Sequence, residues 1–266
     1  MTGLFDSHAH LNDRQFRRDA DDAVARAAAE GVERIICVGW DLASSRQATE
    51  AARRYEGVWA AVGVHPHDAK TLNEAVLAEI RELAREPKVV AIGEIGLDYY
   101  RDLSPRPVQE AAFRAQLGLA KELGLPVVIH DRDAGYDILR VIEDEGAPPA
   151  GGVMHCFSQD ANYAHRALDL GFYIGIAGPV TFGRSQALRE VVRAVPEDRL
   201  LVETDAPYLT PEPYRGRKRN EPAFVRFVAE KVAEIRGIAF EELARVTSAN
   251  AVTLFKGVEG VGRPLL

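Results

Sequence analysis

The sequence contains seven histidines in 266 residues, and two of them, His8 and His10, stand one residue apart in "FDSHAHL". Histidine is poor strand filler, and residues i and i+2 of a strand face the same way. Two imidazoles on one strand face are a pair of ligands for a metal ion. Similar groups recur along the chain. His65 and His67 close "GVHPHD", Glu94 and Asp98 lie in "GEIGLDYY", and His130 and Asp131 lie in "VIHDRDA". His155 follows in "MHCFS", and Glu203 and Asp205 in "ETDAP". Each stands at the end of an apolar run, where a single such residue would be an ordinary polar strand terminus. Gathered in one place, neutral imidazoles and carboxylates would bury polar groups and like charges at a cost of several kcal/mol. A divalent cation removes that cost. Nitrogen and carboxylate ligands without thiolate suit Zn, Mn, Ni, Co, Fe or Mg rather than a structural cysteine zinc site. Cys156 follows His155 directly and, on a strand, would face the opposite side, into the core. His165 falls on a helical pattern and reads as solvated surface.

The elements that would position these groups form a regular series. Eight β-type runs rich in Val and Ile are present: "GLFDSHAHL", "RIICVGW", "VWAAVGVH", "VVAIGEIGLD", "PVVIHDR", "GGVMHCF", "FYIGIAG" and "LLVETDAP". Helical patterns separate them over 17–30, 43–55, 73–85, 106–123, 134–145, 160–170 and 184–194, and two more follow over 222–236 and 240–255. Near-continuous apolar strands alternating with helices predict parallel strands covered on both faces. Eight such units predict an α/β fold of the (β/α)8 TIM barrel type, one domain over 1–266 with extra C-terminal helices. An open doubly wound sheet is disfavoured, because no strand leads into a G-x-G-x-x-G turn. Barrel active sites lie at the C-terminal ends of the strands. Six of the seven histidines fall on that rim.

Composition narrows the function classes. Hydrophobic residues make up 47% and charged residues 27%, as in a soluble globular protein. The net charge of −7 argues against a broad basic face that wraps nucleic acid, and leaves room for a small basic pocket. Two cysteines give no disulfide framework, which makes a reducing cytosol the expected compartment. The N-terminus lacks a basic segment followed by an apolar one, and no apolar run approaches the ~20 residues of a membrane span. A cytoplasmic location with no membrane association is the expectation.

Taken together, "DSHAHL", "GVHPH", "GEIGLDYY", "VIHDRDA", "MHCFS", "ETDAPYL" and "RGRKRNEP" resemble the TatD family of metal-dependent deoxyribonucleases, within the amidohydrolase-like barrels. The resemblance runs through nearly the whole chain. It implies a site for two divalent ions, with His8, His10 and Asp205 on one, His130 and His155 on the other, and Glu94 bridging them. Many amidohydrolase relatives use a carbamylated lysine as the bridge; "VVAIGEIG" offers no lysine, in agreement with a glutamate there. One departure concerns the basic loop. The family pattern R-G-K-R-N-E-P is "RGRKRNEP" here, with one extra residue after Gly216, so the roles of Arg217, Lys218 and Arg219 stay open.

The chemistry follows from these groups. Two divalent ions can clamp the oxygens of an in-line displacement at phosphorus and lower the pKa of water from 15.7 toward ~7. Asp205 is placed to orient that water and take its proton, or to act as a ligand alone. His65 is a candidate phosphate contact, or else it orients a neighbouring ligand. His67 belongs to an outer layer or to the surface. The stretch 212–222 is strongly basic, and Arg217, Lys218, Arg219 and Asn220 are candidate substrate contacts; the alternative is a solvated charge run. Tyr99, Tyr100, Tyr208 and Tyr214 could stack on bases or serve as packing. The expected activity is hydrolysis of DNA phosphodiesters, from single strands or 3′ ends, with two ions drawn from Mg, Mn, Zn, Ni or Co and no obligate protein partner. Another ester or amide bond, as in a D-aminoacyl-tRNA deacylase, is the alternative. A non-catalytic metal-binding or interaction protein is a third reading, disfavoured because every ligand position expected from the resemblance is filled.

Overall fold

The computed structural model describes residues 3–258 and residue 265. Eight strands pair in chain order, every neighbouring pair parallel: β1 (Leu4–Ala9), β2 (Val32–Val38), β3 (Val58–Val62), β4 (Val89–Asp98), β5 (Val127–Arg132), β6 (Gly152–Met154), β7 (Phe172–Ile176) and β8 (Leu200–Val202). The helices between them are α1 (Ala20–Ala29), α2 (Leu42–Arg54), α3 (Glu74–Leu83), α4 (Arg106–Leu123), α5 (Gly135–Glu145), α6 (Ala161–Asp169) and α7 (Gln186–Ala194). After β8 come a long loop, α8 (Val225–Arg236) and α9 (Phe240–Leu254). Each β-type run and each helical pattern of the sequence corresponds to one of these elements. Short 3-10 turns over 66–71 and 178–181 have no counterpart in that reading; each carries a proline in its first turn, where a missing N–H costs nothing.

Local signals set the boundaries. Asp41, Asn73 and Asp160 accept backbone N–H groups at the starts of α2, α3 and α6. Gly124 and Gly237 adopt the left-handed conformation that ends α4 and α8. All ten residues of β4 are buried, as expected of a strand covered on both faces.

Two apolar layers result. One lies between the strands and the helices. The other fills the barrel's lower end, where Phe5, Trp59, Val90, Val128 and Leu201 meet Phe255 and Val258 beyond α9. The Phe5 and Phe255 rings stack with centroids 6.2 Å apart. The upper end is left to polar groups.

The barrel closes between β1 and the segment after β8. The Asp205 N–H donates to the His8 carbonyl (2.9 Å) and the His10 N–H donates to the Ala206 carbonyl (2.7 Å). Asp6 accepts from the Thr204 N–H (2.9 Å) and pairs with its hydroxyl (2.6 Å). This seam fixes Asp205 beside His8 and His10. The ladder is irregular between Asp6 and Ala9 in β1 and between Ile92 and Ile95 in β4, the stretches that hold His8 and Glu94. Such irregularities re-aim side chains next to active sites. Among the described residues, no helix is long and apolar enough to cross a membrane.

Candidate metal site

The rim gathers all six expected ligands. The Nε2 atoms of His8 and His10 lie 3.2 Å apart. Glu94 Oε2 is 3.5 Å from the first and 3.8 Å from the second. Asp205 Oδ1 lies 3.8 and 3.4 Å from the same two atoms. His130 Nδ1 meets Glu94 Oε1 at 2.7 Å, and His155 Nε2 is 3.8 Å from Glu94 Oε1 and 3.9 Å from Asp205 Oδ1. Three overlapping groups could each hold an ion: His8, His10 and Glu94; His8, His155 and Asp205; and His65, Glu94 and His130.

An outer set of acceptors fixes which nitrogen of each ring faces inward. His10 Nδ1 lies 2.9 Å from the Val38 carbonyl, which only an N–H can satisfy, so the lone pair of the neutral ring sits on Nε2. His155 Nδ1 makes an ion-pair contact with Glu203 Oε1 at 2.8 Å, outside hydrogen-bond geometry, and His130 Nε2 is hydrogen-bonded to Asp98 Oδ2 at 3.1 Å. Each therefore offers its other nitrogen to the cluster. Partners of this kind orient metal-binding imidazoles and raise their basicity. His65 has the opposite arrangement. Its Nδ1 accepts the His67 N–H (3.1 Å), so the neutral ring carries its proton on Nε2, 3.5 Å from Glu94 Oε1. His65 is thus a donor into the site. His67 bonds Asp98 (2.8 Å), in the outer layer expected of it. The exposed His165 and the thiol of Cys156 stay outside the cluster.

Electrostatics show what the cluster lacks. Burial would raise the Glu94 carboxyl, but His65, His130 and His155 outweigh it and hold the group well below its usual range. Asp205 and Glu203 are also lowered against burial, by His10 and His155 respectively. Burial depresses His130 and His155 too, yet Asp98 and Glu94 push the first up to about 9, and Glu203 and Glu94 push the second up to about 10. His8 is lowered by burial and by His155, whose ring stacks on it at 3.5 Å between centroids. His8 Nδ1 is buried without a hydrogen-bond partner. Burial also opposes charge on His10, but Asp205 and Glu94 raise it, so protonation of three imidazoles is favoured among these carboxylates, a part that divalent ions fill more completely. The donor set of histidine nitrogen and carboxylate oxygen fits such ions.

Asp98 and Glu203 received no role from the sequence. The signal was available: alternation along β4 puts Glu94, Gly96 and Asp98 on one face. Gly96 itself is required, since at φ +140° a Cβ there would lie 2.0 Å from the His130 carbonyl oxygen.

The basic loop divides. Asn220 is buried, and its amide donates to the Thr204 and Tyr208 carbonyls. Arg219 donates to Asp19 and to the Gln15 carbonyl and lies over Phe16. These two side chains anchor the loop, and their expected contact with substrate gives way to that role because their donors are already engaged. Arg217, which lies over Tyr214, and Lys218 are exposed. The tyrosines divide likewise. Tyr99 is covered by Arg106 and bonded to Asp137, and Tyr214 stacks on Phe224, whereas Tyr100 and Tyr208 are exposed.

Comparison with known proteins gives a consistent result. The family described as TatD related DNase matches residues 5–256. The uncharacterized metal-dependent hydrolase YabD of Bacillus subtilis is 49% identical over 95% of this chain and 99% of its own length. The 3′-5′ ssDNA/RNA exonuclease TatD of Klebsiella pneumoniae is 45% identical over 95% of this chain and 97% of its own. Among solved structures, the TatD homologue YJJV from Escherichia coli K12 superposes with a TM-score of 0.91 at 31% identity, over 96% of this chain and 99% of that one.

Proposed function

Because the chain belongs to the TatD related DNase family, we propose that this metal-dependent hydrolase cleaves phosphodiester bonds of single-stranded nucleic acid, DNA above all, using two divalent ions. The observation that carries the reading is the convergence of His8, His10, Glu94, His130, His155 and Asp205, with Asp98 and Glu203 behind them. In this reading His8, His10 and Asp205 would hold one ion and His130 and His155 the other, with Glu94 serving both. When bound, the ions neutralise the phosphate and make the attacking water acidic.

The chain's own residues do the rest. Asp205, at 14% side-chain exposure against 5% for Glu94, is the more accessible inner carboxylate. It orients the water and accepts its proton. His65, kept neutral by burial and by the neighbouring His130, which together lower it to about 4, donates its Nε2–H to a phosphate oxygen. Arg217 and Lys218 hold the strand outside the site. The exonuclease name of the Klebsiella relative supports attack from a 3′ end.

The test is metal-depleted protein assayed with Mg, Mn, Zn, Ni and Co in turn, on single-stranded DNA labelled at its 5′ end and on D-aminoacyl-tRNA. The reading expects a ladder of strands shortened from the 3′ end. Intact strands with every ion, beside cleaved aminoacyl ester, would replace it with the deacylase.

A further inference from the structure

The turn after β4 carries a feature that the phosphodiester chemistry does not use. Tyr100 is 60% exposed, among the most exposed of the large apolar and aromatic side chains. The Arg132 guanidinium lies over its ring, 4.0 Å from the centroid. Among the described residues, no carboxylate lies within ion-pair distance of Arg132, so its charge is available to a ligand. Backbone hydrogen bonds set the two residues side by side. The Tyr99 N–H donates to the Arg132 carbonyl (2.9 Å), and the Arg101 N–H donates to Asp98 Oδ1 (2.7 Å). Tyr100 stands two residues beyond Asp98, and Arg132 two beyond His130. The platform is therefore built on the same two strand ends that hold one side of the cluster.

We infer that Tyr100 and Arg132 form a nucleoside subsite, the ring stacking on the base next to the scissile phosphate and the guanidinium meeting the backbone beside it. This rests on the phosphodiesterase reading above. An exposed aromatic ring held in place by an unneutralised guanidinium suits single-stranded nucleic acid, because every base has a π-face and every linkage a charge. Stacking of this kind tolerates any base, so the subsite selects for an unpaired strand rather than for a sequence.

The test compares wild type, Tyr100→Ala, Tyr100→Phe and Arg132→Gln, all metal-loaded, on two 5′-labelled single strands. One strand is fully based; the other carries abasic residues at its 3′ end. On the based strand Tyr100→Ala should raise KM about tenfold, the effect of losing one base–aromatic stack, with kcat nearly unchanged. Tyr100→Phe should restore the wild-type KM. On the abasic strand wild type and Tyr100→Ala should be alike. Arg132→Gln should flatten the salt dependence of KM on both strands. An equal loss for Tyr100→Ala on both strands, or no loss on either, would overturn the subsite while leaving the phosphodiesterase reading intact. Wild-type protein that cleaves neither strand would overturn both.

Discussion

At the lower end of the barrel, Phe5, Trp59, Val90 and Leu201 pack against Phe255 and Val258 in an apolar cluster, with the Lys88 ammonium over the Trp59 ring at 5.0 Å from its centroid. At the upper end the same sheet leads to six histidines and to Glu94, Asp98, Glu203 and Asp205, most of them buried. The lower end stabilises the fold by removing hydrocarbon from water, a force that asks little of geometry. The upper end does the opposite. It buries charge, and only paired imidazoles, or the cations that replace their protons, offset the cost. A barrel of this kind separates the two tasks along its axis. Changes at one end should therefore move stability, and changes at the other should move chemistry.

The largest effect expected is Asp205→Asn. General-base catalysis is worth about 10²- to 10⁴-fold, so kcat at saturating metal should fall by that much with KM nearly unchanged. Recovery of wild-type kcat in excess metal would reduce Asp205 to a ligand.

The converse change lies below. Phe255→Ala removes a fully buried ring and should destabilise by about 3–5 kcal/mol in a denaturant titration. Its kcat per folded molecule should match wild type. A change in kcat instead would show that the two ends are coupled.

A smaller effect separates the ends by pH. His130 and His155 have folded pKa values of about 9 and about 10, above their ordinary 6.5. Their contribution to stability is fully present below pH 6.5 and is lost as pH rises through 9 to 10. Glu94, Asp205 and Glu203 are lowered, so their contribution is lost as pH falls below the carboxylate range. Both limbs report the same ion pairs and do not add. Metal-depleted protein should thus melt lower at pH ~9 than at pH ~6, whereas metal-loaded protein, its imidazoles already deprotonated, should show little of that loss. Equal melting of the metal-depleted form at both values would contradict the pairing.

The smallest effect belongs to the loop. Arg217→Gln with Lys218→Gln should raise KM for single strands a few-fold and flatten its salt dependence, since exposed charges contribute about 1 kcal/mol or less each. Arg219→Gln should act on the melting temperature, because that side chain is bound to Asp19.

The fold was legible because hydrophobic periodicity reports it directly. Eight Val- and Ile-rich runs separated by amphipathic stretches leave few alternatives to a barrel. The runs overstate several strands, β3, β6 and β8 the most. These end at Val62, Met154 and Val202, since the chain leaves the ladder before His65, His155 and Asp205. Cys156 and Asp205 have φ of 45° and 56°, a conformation that side-chain type alone does not announce. The site residues were legible as types at strand ends. Their tautomers were not, because those depend on Val38, Asp98 and Glu203, brought to the site by pairing between strands. The basic loop misled for a related reason: charge in a sequence does not show whether Arg219 meets Asp19 or a phosphate.

The central claim is that the rim cluster works with two ions joined through Glu94. It is tested most directly by adding Mn(II) to metal-depleted protein and following both bound metal and hydrolysis of a 5′-labelled single strand. The account predicts no hydrolysis without metal, a break at two ions per chain, and loss of both occupancies in Glu94→Ala. Hydrolysis that survives chelation, or a break at one ion with Glu94→Ala binding as well as wild type, would contradict it.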